Sequence, residues 1–106
     1  MELTGKQKRH LRALGHALSP VVMLGREGLS EAVTAKTDAE LENHELIKIK
    51  CGESCLDPID EVATKLAADC RAGVAQVIGR TALLYRRRKK DPTIKLPKAE
   101  KADSPA

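Results

Sequence analysis

The sequence predicts an α/β fold: a single compact domain with the element order α-β-α-β-α-β-β, forming an open sandwich with a four-stranded sheet. The chain has 106 residues, which is enough for one core. Three segments repeat apolar residues at helical spacing, and four shorter segments are alternating or continuously apolar, as strands are. Aromatic residues make up only 1%. We therefore expect an aliphatic core, with helices covering one face of the sheet.

The first helix is predicted to begin after Thr4, because Thr4 and Gln7 have the spacing of a capping box. Ser19-Pro20 is expected to end this helix, since the residue before a proline disfavours helical geometry. Its apolar stripe consists of Leu11, Leu14 and Leu18.

The next strand and helix flank a glycine-containing loop. A continuous apolar run from Val21 to Leu24 predicts a buried strand. After the loop, Ser30 can cap a helix that extends to about Asn43. The expected inner stripe of this helix is Val33, Thr37 and Leu41.

The stretch "ELIKIK", residues 45–50, alternates between apolar and charged residues and predicts a half-exposed strand. Its isoleucines should face one side and Lys48 and Lys50 the other. Asp57-Pro58 has the pattern of a third helix start, with aspartate at the N-cap and proline in the first turn. Gly73 is predicted just beyond the end of this helix. The expected stripe is Ile59, Val62, Ala63, Leu66 and Cys70.

A hairpin is predicted to complete the sheet, with strands over Val74–Ile78 and Thr81–Arg86 and a turn at Gly79-Arg80. The domain is thus expected to span residues 1–86. Residues 87–106 are rich in Lys, Pro, Asp and Ala and are interpreted as a basic, flexible tail in which the stretch "TIKL" can dock.

Composition narrows the classes of function. No apolar run reaches the roughly 20 residues of a membrane span, and the first residues lack the apolar segment of a signal peptide, so a cytoplasmic location is expected. With Tyr85 as the single aromatic residue, the protein has no platform for stacking bases. If it binds nucleic acid, it should hold the backbone and read its shape.

Charge is distributed unevenly along the chain. Residues 27–69 contain eleven of the 15 acidic residues, whereas the basic residues concentrate near both ends and give a net charge of +4. This asymmetry favours a polyanion-binding surface, although a solvated basic tail would account for the C-terminal part. The candidate RNA-binding cations are Lys6, Lys8, Arg9, Arg12, Arg26, Arg80, Arg86, Arg87 and Arg88.

The loop Gly25-Arg26-Glu27-Gly28 lies between a predicted strand and a predicted helix start. Glycines allow a ligand to approach the backbone closely, and the amides at a helix start attract anions. Arg26 could pair with a phosphate, but Glu27 must then point away or pair with Arg26. The spacing matches the G-x-x-G loop with which KH-type domains clamp a nucleic-acid backbone, and it also occurs in plain turns.

An enzyme is not expected. His10, His16 and His44 lie at predicted surface or end positions, and no serine has the context of a nucleophile. Cys51, Cys55 and Cys70 are interpreted as free thiols. Together with His44 they could be drawn as a zinc site, but their spacing fits no strong motif. No metal and no cofactor are predicted.

Three stretches together resemble the YhbY-like CRM-domain family, RNA-binding domains named for chloroplast RNA splicing and ribosome maturation. They are "LTGKQKRHLRALGHALSPVVMLGREGLSEAV", "HELIKIK" and "QVIGRTALLYR", and the resemblance covers about Leu3 to Arg86. It implies a fold similar to the C-terminal domain of bacterial translation initiation factor three. It also implies a structured RNA ligand, specifically ribosomal RNA of the large-subunit precursor during subunit assembly. The family's G-x-x-G loop falls on Gly25–Gly28, and its basic helix on Lys6, Lys8 and Arg9.

Two other interpretations remain open at this point. The acidic helices, residues 30–43 and 57–72, could form a protein-interaction module that docks on basic ribosomal proteins. The charge argument applies equally to DNA. In each case the chain is expected to act as a monomer without a small-molecule substrate.

Overall fold

The element order of the computed structural model, which describes residues 2–97, is the predicted one. The four strands form one sheet in the order β1-β2-β4-β3, in which β1 and β2 are parallel and the other pairs are antiparallel. The elements are α1 (Gly5–Gly15), β1 (Pro20–Leu24), α2 (Glu31–His44), β2 (Leu46–Cys51), α3 (Ile59–Cys70), β3 (Gly73–Ile78) and β4 (Thr81–Tyr85).

Two of the three predicted helix starts are confirmed. Thr4 and Gln7 form the full capping box of α1, and the Ser30 side chain accepts a hydrogen bond from Val33 N at 3.2 Å. The third was wrong: α3 begins at Ile59 with Pro58 at the N-cap and no side-chain cap. The Asp57 carboxylate turns away from α3 because it accepts a hydrogen bond from Leu29 N at 3.4 Å, across the neighbouring loop.

The predicted helix ends needed two corrections. Helix α1 stops at Gly15 rather than before Pro20, because the chain turns there and Leu18 N donates to Gly15 O at 3.0 Å. Leu18 therefore lies outside the helix. Gly73 does not follow α3 as its cap; it is the first residue of β3, paired with Tyr85. Arg71 takes the left-handed conformation instead, with φ 58°.

The helices cover both faces of the sheet, not one as expected. Helices α2 and α3 pack on one face, whose main core includes Val22, Leu24, Leu41, Ile47, Ile49, Val62, Leu66, Ala82 and Leu84. Helix α1 packs on the other face, where the smaller core consists of Leu11, Leu46, Ala75, Leu83 and Tyr85. The physical reason lies in β4, whose residues 82–85 are all buried and thus need cover on both sides.

Strand β1 is an edge strand. The prediction that it is continuously buried was wrong. Val22 and Leu24 face the main core, whereas Met23 between them is 61% exposed. Alternation is what a strand requires when one of its faces is open to solvent. Strand β2 confirms its predicted alternation, since Ile47 and Ile49 are buried while Lys50 is exposed.

The described part of the predicted tail, residues 87–97, has no helix or strand. It nonetheless contacts the domain: Ile94 and Leu96 pack against the smaller core, and Gln7 Nε2 donates to Pro97 O at 3.0 Å. The remainder of the predicted flexible tail, residues 98–106, lies outside the described residues. Within residues 2–97, every helix is too short or too polar to cross a bilayer.

Candidate nucleic-acid interface

The face of the sheet that α1 occupies is only half covered. Strand pairing places Met23, Lys50, Thr81 and Ile78 in one row across all four strands. The adjacent row on the same face contains Lys48, next to Pro20 on β1 and Leu83 on β4, with Gln76 beyond. We call the side chains of Met23, Lys48, Lys50, Gln76, Ile78 and Thr81 the open sheet face.

One end of α1 forms a wall along this face. A Cβ placed on Gly15 would lie 2.5 Å from Leu83 Cδ1, so the glycine lets the end of the helix approach the sheet closely. Arg12 and His16 project from this end of α1 and line, with Lys48 and Lys50, a groove of about 560 Å³. Among residues 2–97, no acidic side chain lines the groove.

The cations of the groove are not neutralised by any side chain in the described part of the protein. Among residues 2–97, the side chains of Arg12, Lys48 and Lys50 make neither an ion pair nor a hydrogen bond. These three positive charges lie in one groove and repel one another. An anion that enters the groove is attracted by all three and reduces that repulsion. The groove thus has the charge and the shape that a polyanion-binding surface requires.

Part of this site could be predicted from the sequence. Sequence reasoning predicted Arg12 as an RNA-binding residue, and it placed Lys48 and Lys50 together on one side of β2 without assigning them to RNA. It missed Met23, Gln76, Ile78 and Thr81 because only the strand order β1-β2-β4-β3 brings them into the same two rows.

The Gly25–Gly28 loop is a turn closed by a hydrogen bond from Gly28 N to Gly25 O at 3.0 Å. Gly28 has φ 62°, and a Cβ there would collide with Asp57 Oδ2, so both backbone angle and space require glycine. The Asp57 carboxylate thereby takes the place at the Gly28–Leu29 backbone where a phosphate was predicted. Arg26 and Glu27 are both exposed, and no ion pair joins them in the described chain.

Arg80 connects two loops near the open sheet face. Its Nη2 donates to Gly52 O at 2.7 Å and to Cys55 O at 3.2 Å, while its own carbonyl accepts from Cys51 N at 2.8 Å. These contacts hold the β3–β4 turn against the loop that follows β2. Since β1 and β2 are parallel, the Gly25–Gly28 loop emerges at this same end of the sheet.

The remaining cations of α1 do not line the groove. Lys6, Lys8 and Arg9 are all exposed. Lys8 lies beside Leu3 and Val74, at the β3 side of the helix and away from the groove that Arg12 lines. Of the four cations predicted on this helix, only Arg12 therefore lines the groove.

Arg86, Arg87 and Arg88 are at the opposite end of β4 from Arg80, separated by about 20 Å of extended chain. Arg86 is directed at its own protein: Nη1 contacts Asp38 Oδ1 at 2.5 Å and Cys70 O at 2.9 Å, and Nη2 contacts Glu42 Oε1 at 3.2 Å. Arg88 donates to Asn43 O and Asp91 O. Arg87 is exposed. The structure does not bring these arginines together with the loop.

Glu45 fixes the chain that follows β4. It is fully buried, has φ 64°, and accepts hydrogen bonds from Arg88 N, Thr93 N, Thr93 Oγ1 and Ile94 N. Burial by itself would raise the pKa of Glu45, but these hydrogen bonds outweigh it and lower the pKa to about 2. We call Glu45, Arg86, Arg88 and Thr93 the C-terminal clamp.

The cysteines are buried free thiols. Burial, together with a hydrogen bond to Cys55, raises the pKa of Cys51 to about 11, and burial also raises the pKa of Cys70. These two thiols thus stay protonated at neutral pH and pack as small apolar groups. His44 contacts Glu40 at 3.2 Å. In the described part of the chain, no three His, Cys, Asp or Glu side chains are placed to hold a metal ion.

Comparison with known proteins identifies the family. A family model described as the CRS1 / YhbY (CRM) domain matches residues 3–86. The chain belongs to this CRM-domain family. The predicted resemblance is therefore confirmed, and the matched region includes the whole sheet and all three helices.

Relatives of this CRM-domain protein span most of its length. One is the Bacillus subtilis protein named Probable RNA-binding protein YqeI, 37% identical over 95 residues that cover 90% of this chain and 99% of that protein. Another, a probable RNA-binding protein of Methanocaldococcus jannaschii, is 43% identical over 109 residues, covering 94% and 81%. A Staphylococcus aureus protein, solved in solution as a candidate RNA-binding protein, is 40% identical, with a TM-score of 0.77 over 90% of this chain and 99% of that one. These matches confirm the fold class.

Proposed function

We propose that this CRM-domain protein binds structured RNA through its phosphate backbone, without catalysing a reaction. The observation that carries the proposal is a set of three cations, Arg12, Lys48 and Lys50. They line one groove that contains no acidic side chain of residues 2–97. Phosphate contacts by lysine and arginine supply most of the sequence-independent affinity for nucleic acids. The names of the relatives support RNA as the polyanion.

We further propose ribosomal RNA of the large-subunit precursor as the natural ligand, bound in the cytoplasm by the monomeric protein. This finer assignment follows from the family resemblance seen in the sequence. It is tested by sedimenting a cell extract and crosslinking the protein to RNA in the fraction that contains it. Crosslinks to large-subunit precursor RNA would support the assignment; crosslinks confined to other RNAs would exclude it.

RNA binding itself is tested with the purified protein and a labelled structured transcript, measured by fluorescence anisotropy at several salt concentrations. We expect an affinity that falls linearly with salt on a log–log scale, since released counterions drive the binding. Duplex DNA of equal length serves as competitor at fixed salt. Displacement by DNA at equal concentration would contradict RNA selectivity, and association only with particles that contain ribosomal proteins would favour a protein-docking role for the acidic helices.

A further inference from the structure

We propose that the open sheet face seats an unpaired segment of RNA, with phosphates at the cations of the groove and with bases or riboses against Met23 and Ile78. This inference rests on the proposed function, because it names the form of RNA that the same groove takes. It adds a contact that does not depend on charge.

The first observation is the composition of a single row. Met23 and Ile78 are 61% and 63% exposed, and they stand on the two edge strands at either end of the row that contains Lys50 and Thr81. Three strand spacings separate them, about 14 Å in all. The face therefore offers apolar contact at both edges and a cation with a hydroxyl between them.

The second observation is the shape of the site. Helix α1 closes one side of the face, since Gly15 brings the end of the helix against Leu83, and leaves a groove of about 560 Å³. This volume is in the range of pockets that enclose small molecules, and it is too small to take in the width of a double helix. An A-form duplex keeps its bases stacked inside and offers mainly phosphates and 2′-hydroxyls.

A duplex would accordingly leave Met23 and Ile78 without a partner, whereas an unpaired strand can turn its bases onto them. Methionine sulfur makes favourable contacts with aromatic rings, and isoleucine gains by losing contact with water. Because neither side chain reads hydrogen-bonding edges, the contact should be tolerant of base sequence. A protein partner would also cover apolar side chains, but the groove lining contains cations and, within the described part of the chain, no acidic residue, which favours a polyanion.

The test compares three RNAs of equal length: a single strand of low structure, a hairpin with an unpaired loop, and a perfect duplex. Anisotropy is measured at fixed salt for the unaltered protein and for the double variant Met23→Thr, Ile78→Thr, which keeps strand-forming residues. We expect the double variant to bind the single strand and the hairpin about fivefold more weakly. Its duplex affinity and its salt dependence should not change.

Leu56→Thr is the matched control, because Leu56 is 90% exposed but lies outside the open sheet face. It should leave the affinity for every RNA unchanged, and thermal melting checks that all variants are folded. Equal loss for duplex and single strand, or no loss for either, would overturn the inference while RNA binding persists; the second result would leave the apolar pair to a protein partner. If the unaltered protein binds none of the three RNAs, the proposed function itself fails.

Discussion

The open sheet face and the C-terminal clamp are both rich in cations, and the fold treats them in opposite ways. Around the groove, Arg12, Lys48 and Lys50 have no acidic partner among the described residues. In the clamp, Arg86 is only 19% exposed and is shared between Asp38 and Glu42. Whether a cation is available to a ligand therefore depends on the acidic side chains of the neighbouring element. For Arg86, that element is α2.

The largest effect is expected from Glu45→Gln, which tests whether the clamp is structural. The lowered pKa of Glu45 means that its carboxylate stabilises the folded state above about pH 4.5 and loses this contribution as the pH falls through about 2. From that shift we expect a loss of about 3 kcal/mol in the free energy of unfolding at pH 7. Urea denaturation at pH 7 and pH 2.5 measures it.

The difference between the unaltered protein and Glu45→Gln should shrink at the lower pH. At pH 2.5 the Glu45 carboxyl is protonated in the unfolded chain, so the folded state must release that proton to keep its carboxylate, and most of the stabilisation present at pH 7 is lost. Glu53→Gln, in an exposed loop, is the control and should change stability little at either pH. An equal loss at both pH values would show that packing rather than charge holds the clamp.

Arg86→Met separates the clamp from RNA binding. It removes the ion pairs with Asp38 and Glu42 and leaves Cys70 O without its donor, so we expect a loss of about 2 kcal/mol in stability. RNA affinity of the folded variant should stay within about twofold, because the guanidinium is already occupied. Arg87→Met is the control for stability, since Arg87 is exposed. A large loss of RNA affinity without destabilisation would contradict the view that Arg86 is occupied within the clamp.

Lys48→Gln combined with Lys50→Gln should give the reverse result. Stability should change by less than about 0.5 kcal/mol, because neither side chain has a partner to lose. RNA affinity should fall about tenfold at low salt, and the log–log salt slope should decrease by roughly 0.7–0.9 for each phosphate contact removed. Lys65→Gln, on α3 and on the other face of the sheet, serves as the control. An unchanged slope would exclude the groove.

The smallest effect is expected at the Gly25–Gly28 loop. If a phosphate lies near Arg26, Glu27→Lys should tighten RNA binding by about twofold at low salt, and the gain should vanish as salt screens it. Glu61→Lys makes the same change in net charge, but Glu61 is on α3, on the other face of the sheet. This variant should have less effect on RNA affinity. Equal gains from both variants would reduce the loop to a turn whose glycines serve only the backbone and the close approach of Asp57.

Local patterns predicted most of this fold, because capping and alternation depend on neighbouring residues. The capping box at Thr4, the cap at Ser30 and the alternation of β2 are all confirmed. What could not be predicted depends on contacts between distant residues. Asp57 leaves its expected cap and instead accepts a hydrogen bond from Leu29 N, 28 positions earlier in the chain. The uninterrupted apolar run of β4 already indicates a strand that needs cover on both faces. The prediction that helices cover one face did not take this run into account.

The candidate site was predicted less completely than the fold, for the same reason. Arg12 and the Gly25–Gly28 loop follow from sequence, but their relation to Lys48 and Lys50 depends on the strand order. Conversely, Arg86 looked available because its partners, Asp38 and Glu42, lie more than forty positions earlier in the chain. The RNA-binding roles of the predicted residues stay predictions until the variants are measured.

The strand order also determines when the sheet can form during synthesis of the protein on the ribosome. Among residues 2–97, strand β4 is the last strand in chain order, yet it lies between β2 and β3 and is hydrogen-bonded to both. A nascent chain that ends before residue 81 therefore holds β1–β2 as a two-stranded remnant and β3 without a neighbour, and such small assemblies are unstable in water. Synthesis delivers Arg12, Lys48 and Lys50 early, but the groove they line cannot assemble until the final strand has left the exit tunnel. Unfinished chains are thus denied the sheet on which RNA would be held.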